Sequence, residues 1–151
     1  LINIRKAKES DMDAIIELGK SMYVESDYQG MAFNEDKCRA FLSVVITTGL
    51  AIIAEKDGWI VGMLGAGIQP HIFTDTLMSW DDLVYVLPQY RGTRAAQRLI
   101  TVYIAWAQEL GVKRENIYIG INAGINIDRT ARFYHKLGFK RSGINMKLQE
   151  E

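Results

Sequence analysis

The sequence predicts a mixed α/β domain, and three observations carry that prediction. Hydrophobic spacing switches repeatedly between the 3.6-residue period of a helix and the two-residue period of a strand. The breakers Gly49, Asp57-Gly58, Gly111 and Gly138 fall between these segments rather than inside them. At 151 residues, 48% of them hydrophobic, the chain can bury a core of its own, and residues 1–151 are read as one domain.

Residues 3–7 read as a short strand. Ser10 stands where a helix N-cap belongs, with Asp13 as its capping-box partner, and Ile15, Leu18 and Met22 follow at helical spacing. Residues 25–30 break that pattern and read as a loop. A second helix is expected from Asn34, with Glu35 and Asp36 at its positive end. Cys38, Phe41, Leu42 and Val45 then recur at i, i+3, i+4 and i+7, which assigns all four to one buried face. Cys38 is accordingly a small core residue, with no nearby partner to activate a thiolate.

Gly49 ends that helix. Residues 50–55 and 59–67 form two strands joined at Lys56-Asp57-Gly58, because Asp-Gly between apolar runs is a hairpin signal. Residues 70–78 read as a loop and residues 79–86 as a strand. A long helix is expected from about Thr93 to Leu110, with Ala96, Leu99, Ile100, Tyr103, Trp106 and Leu110 on one face and Gly111 as its stop. Residues 116–122 alternate, with Ile117, Ile119 and Ile121 facing one way. Asp128 caps a last helix ending at Gly138, and residues 139–141 and 144–148 suggest a closing hairpin.

Composition excludes several functions. Lys+Arg and Asp+Glu both number 18, so there is no net charge to drive generic nucleic-acid binding. No apolar run approaches the ~20 residues that span a bilayer, and no signal-peptide pattern opens the chain. A single cysteine forbids an internal disulfide, and two histidines leave little for a metal site, so no metal is expected. A cytoplasmic protein is expected. Leu1 is not an initiating residue, so the natural chain is expected to begin upstream.

Chemistry concentrates in residues 84–99, where a strand meets a Pro-terminated turn, an Arg-rich loop holding Gly92, and the long helix. The first turn of a helix leaves amides unpaired and carries partial positive charge, which suits a phosphate. Gly92 lets backbone approach a ligand, Ala95 and Ala96 keep the turn small, and Arg91, Arg94 and Arg98 add charge. A Walker Gly-Lys-Ser/Thr and a dinucleotide Gly-x-Gly-x-x-Gly are both missing, so kinase and Rossmann readings fall.

Val86-Leu87-Pro88-Gln89-Tyr90-Arg91-Gly92-Thr93-Arg94-Ala95-Ala96 resembles the acyl-CoA signature of the GNAT superfamily of N-acetyltransferases, Arg/Gln-x-x-Gly-x-Gly/Ala. Ala131-Arg132-Phe133-Tyr134-His135-Lys136-Leu137-Gly138-Phe139 is similar to that family's Tyr-x-Lys-x-Gly-Phe ending. The two motifs and the element order together cover nearly the whole chain. Arg94 departs from the pattern by replacing its first glycine, and Ile127 stands where many members carry asparagine, with Asn122 and Asn126 as nearby substitutes.

The resemblance implies a central mixed, mostly antiparallel sheet with splayed middle strands and helices on both faces. It implies acetyl-CoA as co-substrate, held by Val84, Val86 and Leu87 along the pantetheine arm and by Arg91, Gly92, Thr93, Arg94, Ala95 and Ala96 around the pyrophosphate. Tyr134 would protonate the departing thiolate; read without the resemblance, it is a core aromatic beside Phe133 and Leu137. Glu25, Asp27 and Tyr28 would meet the acceptor, a small amine or a protein amino group, in a monomer or homodimer.

The amine must lose a proton, and Asp81 and Asp82 lie on the strand leading to the cofactor loop. Strict alternation places Asp82 with Val84 and Val86, and Asp81 with Leu83 and Tyr85. Spacing does not choose the base between them. The competing reading is a noncatalytic CoA-binding domain on the same fold.

Overall fold

Asp57 and Gly58 turn the chain back on itself with φ values of 51° and 82°, and the flanking strands pair from Lys56↔Trp59 onward. In the computed structural model, which describes all residues from Leu1 to Glu151, this hairpin lies at the centre of the sheet. The elements run β1 (Asn3–Lys6), α1 (Met12–Glu25), α2 (Glu35–Thr48), β2 (Leu50–Lys56), β3 (Trp59–Pro70), β4 (Leu77–Val86), α3 (Ala95–Glu109) and α4 (Ile127–Lys136). The strands are ordered β1-β2-β3-β4 and every pair is antiparallel. No helix is long and apolar enough to cross a membrane.

Each sheet face has its own core. Ile52, Leu64 and Val86 pack with Leu99, Ile100 and Tyr103 of α3 and with Tyr134 of α4. Ile53, Met63 and Tyr85 pack on the other side with Ile15 and Leu18 of α1, backed by Leu42 and Ile46 of α2. Leu99 and Tyr103 are 0% exposed, so truncating either removes contacts worth ~2–5 kcal/mol.

Several expectations need correction. Ser10 is not the cap, because a one-turn 3-10 helix (Glu9–Asp11) precedes α1. Asp11 instead accepts the Lys8 amide at 2.8 Å and pairs with Arg5 at 2.8 Å. Only Val45 of the predicted α2 face is fully buried; Cys38 is half-buried and Phe41 is 47% exposed. Asn126, not Asp128, precedes α4 as its N-cap. Residues 139–151 form no hairpin, and Ile144, Met146 and Leu148 point outward.

Residues 116–122 form no strand: Asn116 ends a 3-10 turn (Arg114–Asn116), and the segment joins the sheet at one point, a parallel bridge between Ser79 and Ile117. The Tyr118 amide still reaches the Ser79 carbonyl at 2.8 Å. Two residues on, the Gly120 amide is taken by Oδ1 of Asp81 at 2.7 Å. A side chain there replaces the backbone carbonyl of a ladder, and the segment separates from β4 beyond it.

A bulge in β4 overturns the alternation argument. Leu83 pairs with Gly65 and Asp81 with Ala66, leaving Asp82 without a partner. Leu83 and Tyr85 therefore face the α1/α2 layer, while Asp81 faces the α3/α4 layer beside buried Ala66. Asp82 turns to the α1/α2 side, where its Oδ2 lies 3.8 Å from the position a Cβ on Gly65 would take.

Candidate active site

The chain leaves β4 at Val86, makes a short 3-10 turn (Pro88–Tyr90), and enters α3 through Gly92. Gly92 has φ 85°, and nothing lies within 4 Å of where a Cβ would stand. Only glycine holds that conformation without steric cost. Thr93 fixes the approach, its hydroxyl donating to the Tyr90 carbonyl at 2.6 Å and accepting the Ala95 amide at 3.2 Å. The amides of Gly92, Arg94, Ala96 and Gln97 bond to nothing else in the chain. A helix N-terminus with several open amides, next to backbone that carries no side chain, fits the pyrophosphate of a nucleotide cofactor. Arg94 sits at φ −85°, so the position where the family pattern has glycine does not require one here.

Two of the three loop arginines are already engaged. Arg91 forks onto Glu25, with Nη1 donating to Oε1 at 2.9 Å and Nη2 to Oε2 at 2.8 Å. Its Nε donates to the Val86 carbonyl at 3.0 Å, and its guanidinium lies 5.4 Å from the Tyr85 ring centroid. The Tyr85 hydroxyl donates to the same Glu25 carboxylate. The Arg91 guanidinium, and then the Tyr85 hydroxyl, hold the Glu25 carboxyl below the usual range despite its partial burial. Arg98 turns to the Ile2 carbonyl. Arg94 is exposed and joins neither network. The structure thus brings together Glu25, expected with the acceptor, and Arg91, expected with the cofactor.

Tyr134 is 8% exposed, ringed by Phe133 and Phe139 at centroid distances of 5.9 and 6.1 Å. Gly138 explains the Gly-Phe that ends the second motif. At φ 100° it sends the chain back, so the Phe139 amide reaches the Tyr134 carbonyl at 3.1 Å. Burial, and after it the negative charge of Asp81, pushes the Tyr134 hydroxyl well above its ordinary pKa. It stays a phenol throughout the neutral range and can donate. Burial also pushes Asp81 up, to about 6, against the Gly120 amide and its own backbone amide, which favour the charged form. Partial desolvation raises Asp82 too, although the residue is exposed.

The remaining expected residues gather at the rim. The Asp27 amide bonds the Ala123 carbonyl at 2.9 Å, and the Tyr28 hydroxyl donates to the Asn122 carbonyl at 2.9 Å. The loop after α1 therefore docks on the segment that separates from β4. Asn122 is exposed and its side chain accepts from Asn145. Asn126 is exposed at φ 44°, with no side-chain cap bond to α4. Val84 is half-buried toward α3, and Leu87 closes β4 with its amide on the Val61 carbonyl at 2.9 Å. Sequence reasoning missed Tyr85 as a partner of Glu25, and Gly120 as the partner of Asp81. Both contacts join distant segments and leave no local pattern.

Residues 47–141 match the family model described as an acetyltransferase (GNAT) domain. An uncharacterized N-acetyltransferase of Mycobacterium tuberculosis is 36% identical over 94 residues, covering 61% of this chain and 53% of the relative. The chain thus spans about half the length of the curated relatives it matches. Among solved structures, an aminoglycoside antibiotic 6'-N-acetyltransferase from Acinetobacter baumannii superposes with a TM-score of 0.76 at 19% identity, covering 100% of this chain and 99% of that one. A protein from Clostridium acetobutylicum, described as a predicted acetyltransferase with acetyl-CoA, gives 0.75 at 18% identity over 99% of this chain and 96% of that one. At these identities the structures establish a shared fold.

Proposed function

Because the chain belongs to the GNAT acetyltransferase family, we propose that it transfers the acetyl group of acetyl-CoA to a primary amine by direct attack, with residues 1–151 as the acetyltransferase domain. The observation that carries this reading is the row of open amides at Gly92, Arg94, Ala96 and Gln97. They bind the pyrophosphate, and Arg94 adds the one loop charge not spoken for. Acetyl-CoA supplies a thioester, an acyl group already activated for attack.

The chain's own groups handle two protons. A primary amine of pKa ~10.4 costs about 4 kcal/mol to deprotonate at neutral pH. Asp82, facing the α1/α2 side, accepts that proton directly or through water. Tyr134, on the opposite face, donates its hydroxyl proton to the thiolate as the C–S bond breaks. The new bond is C–N; as the adduct collapses the nitrogen sheds its second proton, which restores the Tyr134 hydroxyl through water, and the products are the amide, CoA thiol and the one proton taken by Asp82. Asp81 touches neither reactant; it positions Gly120, and its charge adds to the burial that raises the Tyr134 hydroxyl. The split of the two carboxylates by the β4 bulge supports this assignment.

A lone free cysteine suits a reducing compartment, and we place the reaction in the cytoplasm. The test is thermal unfolding with acetyl-CoA. At 100 times its dissociation constant the ligand adds ~2.7 kcal/mol of stability. An unfolding curve that ignores millimolar acetyl-CoA and CoA overturns the reading.

A further inference from the structure

On the face away from Tyr134, between α2 and β4, the sheet is floored with glycine. Gly65 and Gly67 face this side, opposite Leu83 and Trp80. A Cβ on Gly65 would stand 3.6 Å from a Val45 methyl, whereas one on Gly67 would meet nothing within 4 Å. Phe41, Leu42 and Val45 of α2 share a small cavity of about 20 Å³ with Leu83 and Asp82 of β4, and the floor stays open beyond it at Gly67.

Two aromatics lie on this side: Phe41 lines the cavity, and Trp80 is the strand partner of Gly67. Phe41 is 47% exposed and Trp80 45%. Trp80 stacks on Tyr118 with centroids 4.2 Å apart and planes 14° from parallel, which holds it flat. Asp82 has no ion pair or hydrogen bond within the chain, and it is the only charged side chain among the residues lining the cavity.

We propose that this groove is the acceptor pocket and that its substrate is an arylalkylamine, a primary amine on a flat aromatic body. The proposal rests on the acetyltransferase reading. One carboxylate matches one ammonium, and the absent side chain on Gly67 leaves a slot beside the Trp80 ring. Stacking on a rigid aromatic wall rewards a planar substrate, and Trp also attracts the ammonium itself. A polycationic sugar or a polyamine would set further ammonium groups against Phe41, Val45 and Leu83, where nothing pairs with them.

The test compares acceptors by CoA release, after calorimetry has measured acetyl-CoA binding. We expect kcat/KM for 2-phenylethylamine and tryptamine to exceed that for kanamycin, spermidine and a lysine peptide at least about ten-fold, or ~1.4 kcal/mol. Gly67→Val fills the slot with a residue that suits a strand. It should raise KM for 2-phenylethylamine about ten-fold or more, with melting temperature and acetyl-CoA affinity unchanged. Trp80→Ala should act in the same direction. The reverse acceptor ranking, or an unchanged KM in Gly67→Val, overturns the groove while acetyl transfer stands. Failure to bind acetyl-CoA overturns both.

Discussion

Arg91 holds Glu25 through two parallel N–H···O bonds of 2.9 and 2.8 Å that join residues 66 apart in sequence. The pair ties the end of α1 to the loop that opens α3, so the two segments share one strut. Both side chains are roughly a quarter exposed, which makes the fork stronger than a surface pair and weaker than a buried one. A double-mutant cycle with Glu25→Gln and Arg91→Gln, followed by urea unfolding, should give a coupling of about 1 kcal/mol. It should fade as pH falls through the depressed Glu25 pKa, since this stability is present only while the carboxylate is charged. A coupling near zero would falsify the strut.

The cradle can be tested at its two ends. Gly92→Val forces a β-branched residue to φ 85°, at a cost of about 1–2 kcal/mol. Acetyl-CoA affinity should fall well beyond ten-fold, because the new side chain stands beside the open amides. Arg94→Gln should weaken binding about five- to ten-fold and flatten its dependence on salt, as expected for the loss of one phosphate charge. Calorimetry at two ionic strengths reads both effects. Unchanged affinity in Arg94→Gln would leave the backbone alone as the anion site.

Tyr134→Phe deletes a hydroxyl that pairs with no other group in the chain. Stability and acetyl-CoA affinity should hold, and turnover should drop roughly 10²-fold, the usual scale for a positioned acid. Wild-type turnover in this variant would remove Tyr134 from the proton path.

Asp81 supplies a pH signature. Its pKa rises from 3.8 to about 6 on folding, so the folded state favours the neutral acid. The stability this gives is full below the unfolded value and is lost as pH rises through about 6. Asp81→Asn keeps an oxygen for the Gly120 amide and abolishes the titration. The variant should match wild type near pH 4 and exceed it by about 2 kcal/mol at pH 7.5. Urea midpoints at the two values check this; a constant offset between the proteins contradicts it.

Local patterns in the sequence were enough for α3, the Asp57-Gly58 hairpin and the glycine turn at Gly92, because each is set by neighbours along the chain. The faces of Asp81 and Asp82 were not legible. The bulge depends on where β3 meets β4, and alternation alone gives the wrong neighbours. Residues 116–122 carry the period of a strand, yet past Ile117 the Asp81 side chain takes the amide that a ladder would use. Ile144, Met146 and Leu148 alternate as well, and at 68%, 89% and 94% exposure they have no face to pack on. Periodicity reports what a segment could pair with, not whether a partner arrives.

The β4 bulge separates inheritance of the fold from inheritance of Asp82. With Leu83 opposite Gly65 and Asp81 opposite Ala66, the ladder is already in step on both sides of Asp82. Loss of that one codon would leave every neighbouring strand partner in place and both cores facing as before. A lineage could therefore drop Asp82, the base proposed above, by a single in-frame deletion and keep the folded scaffold, or acquire it by the reverse insertion.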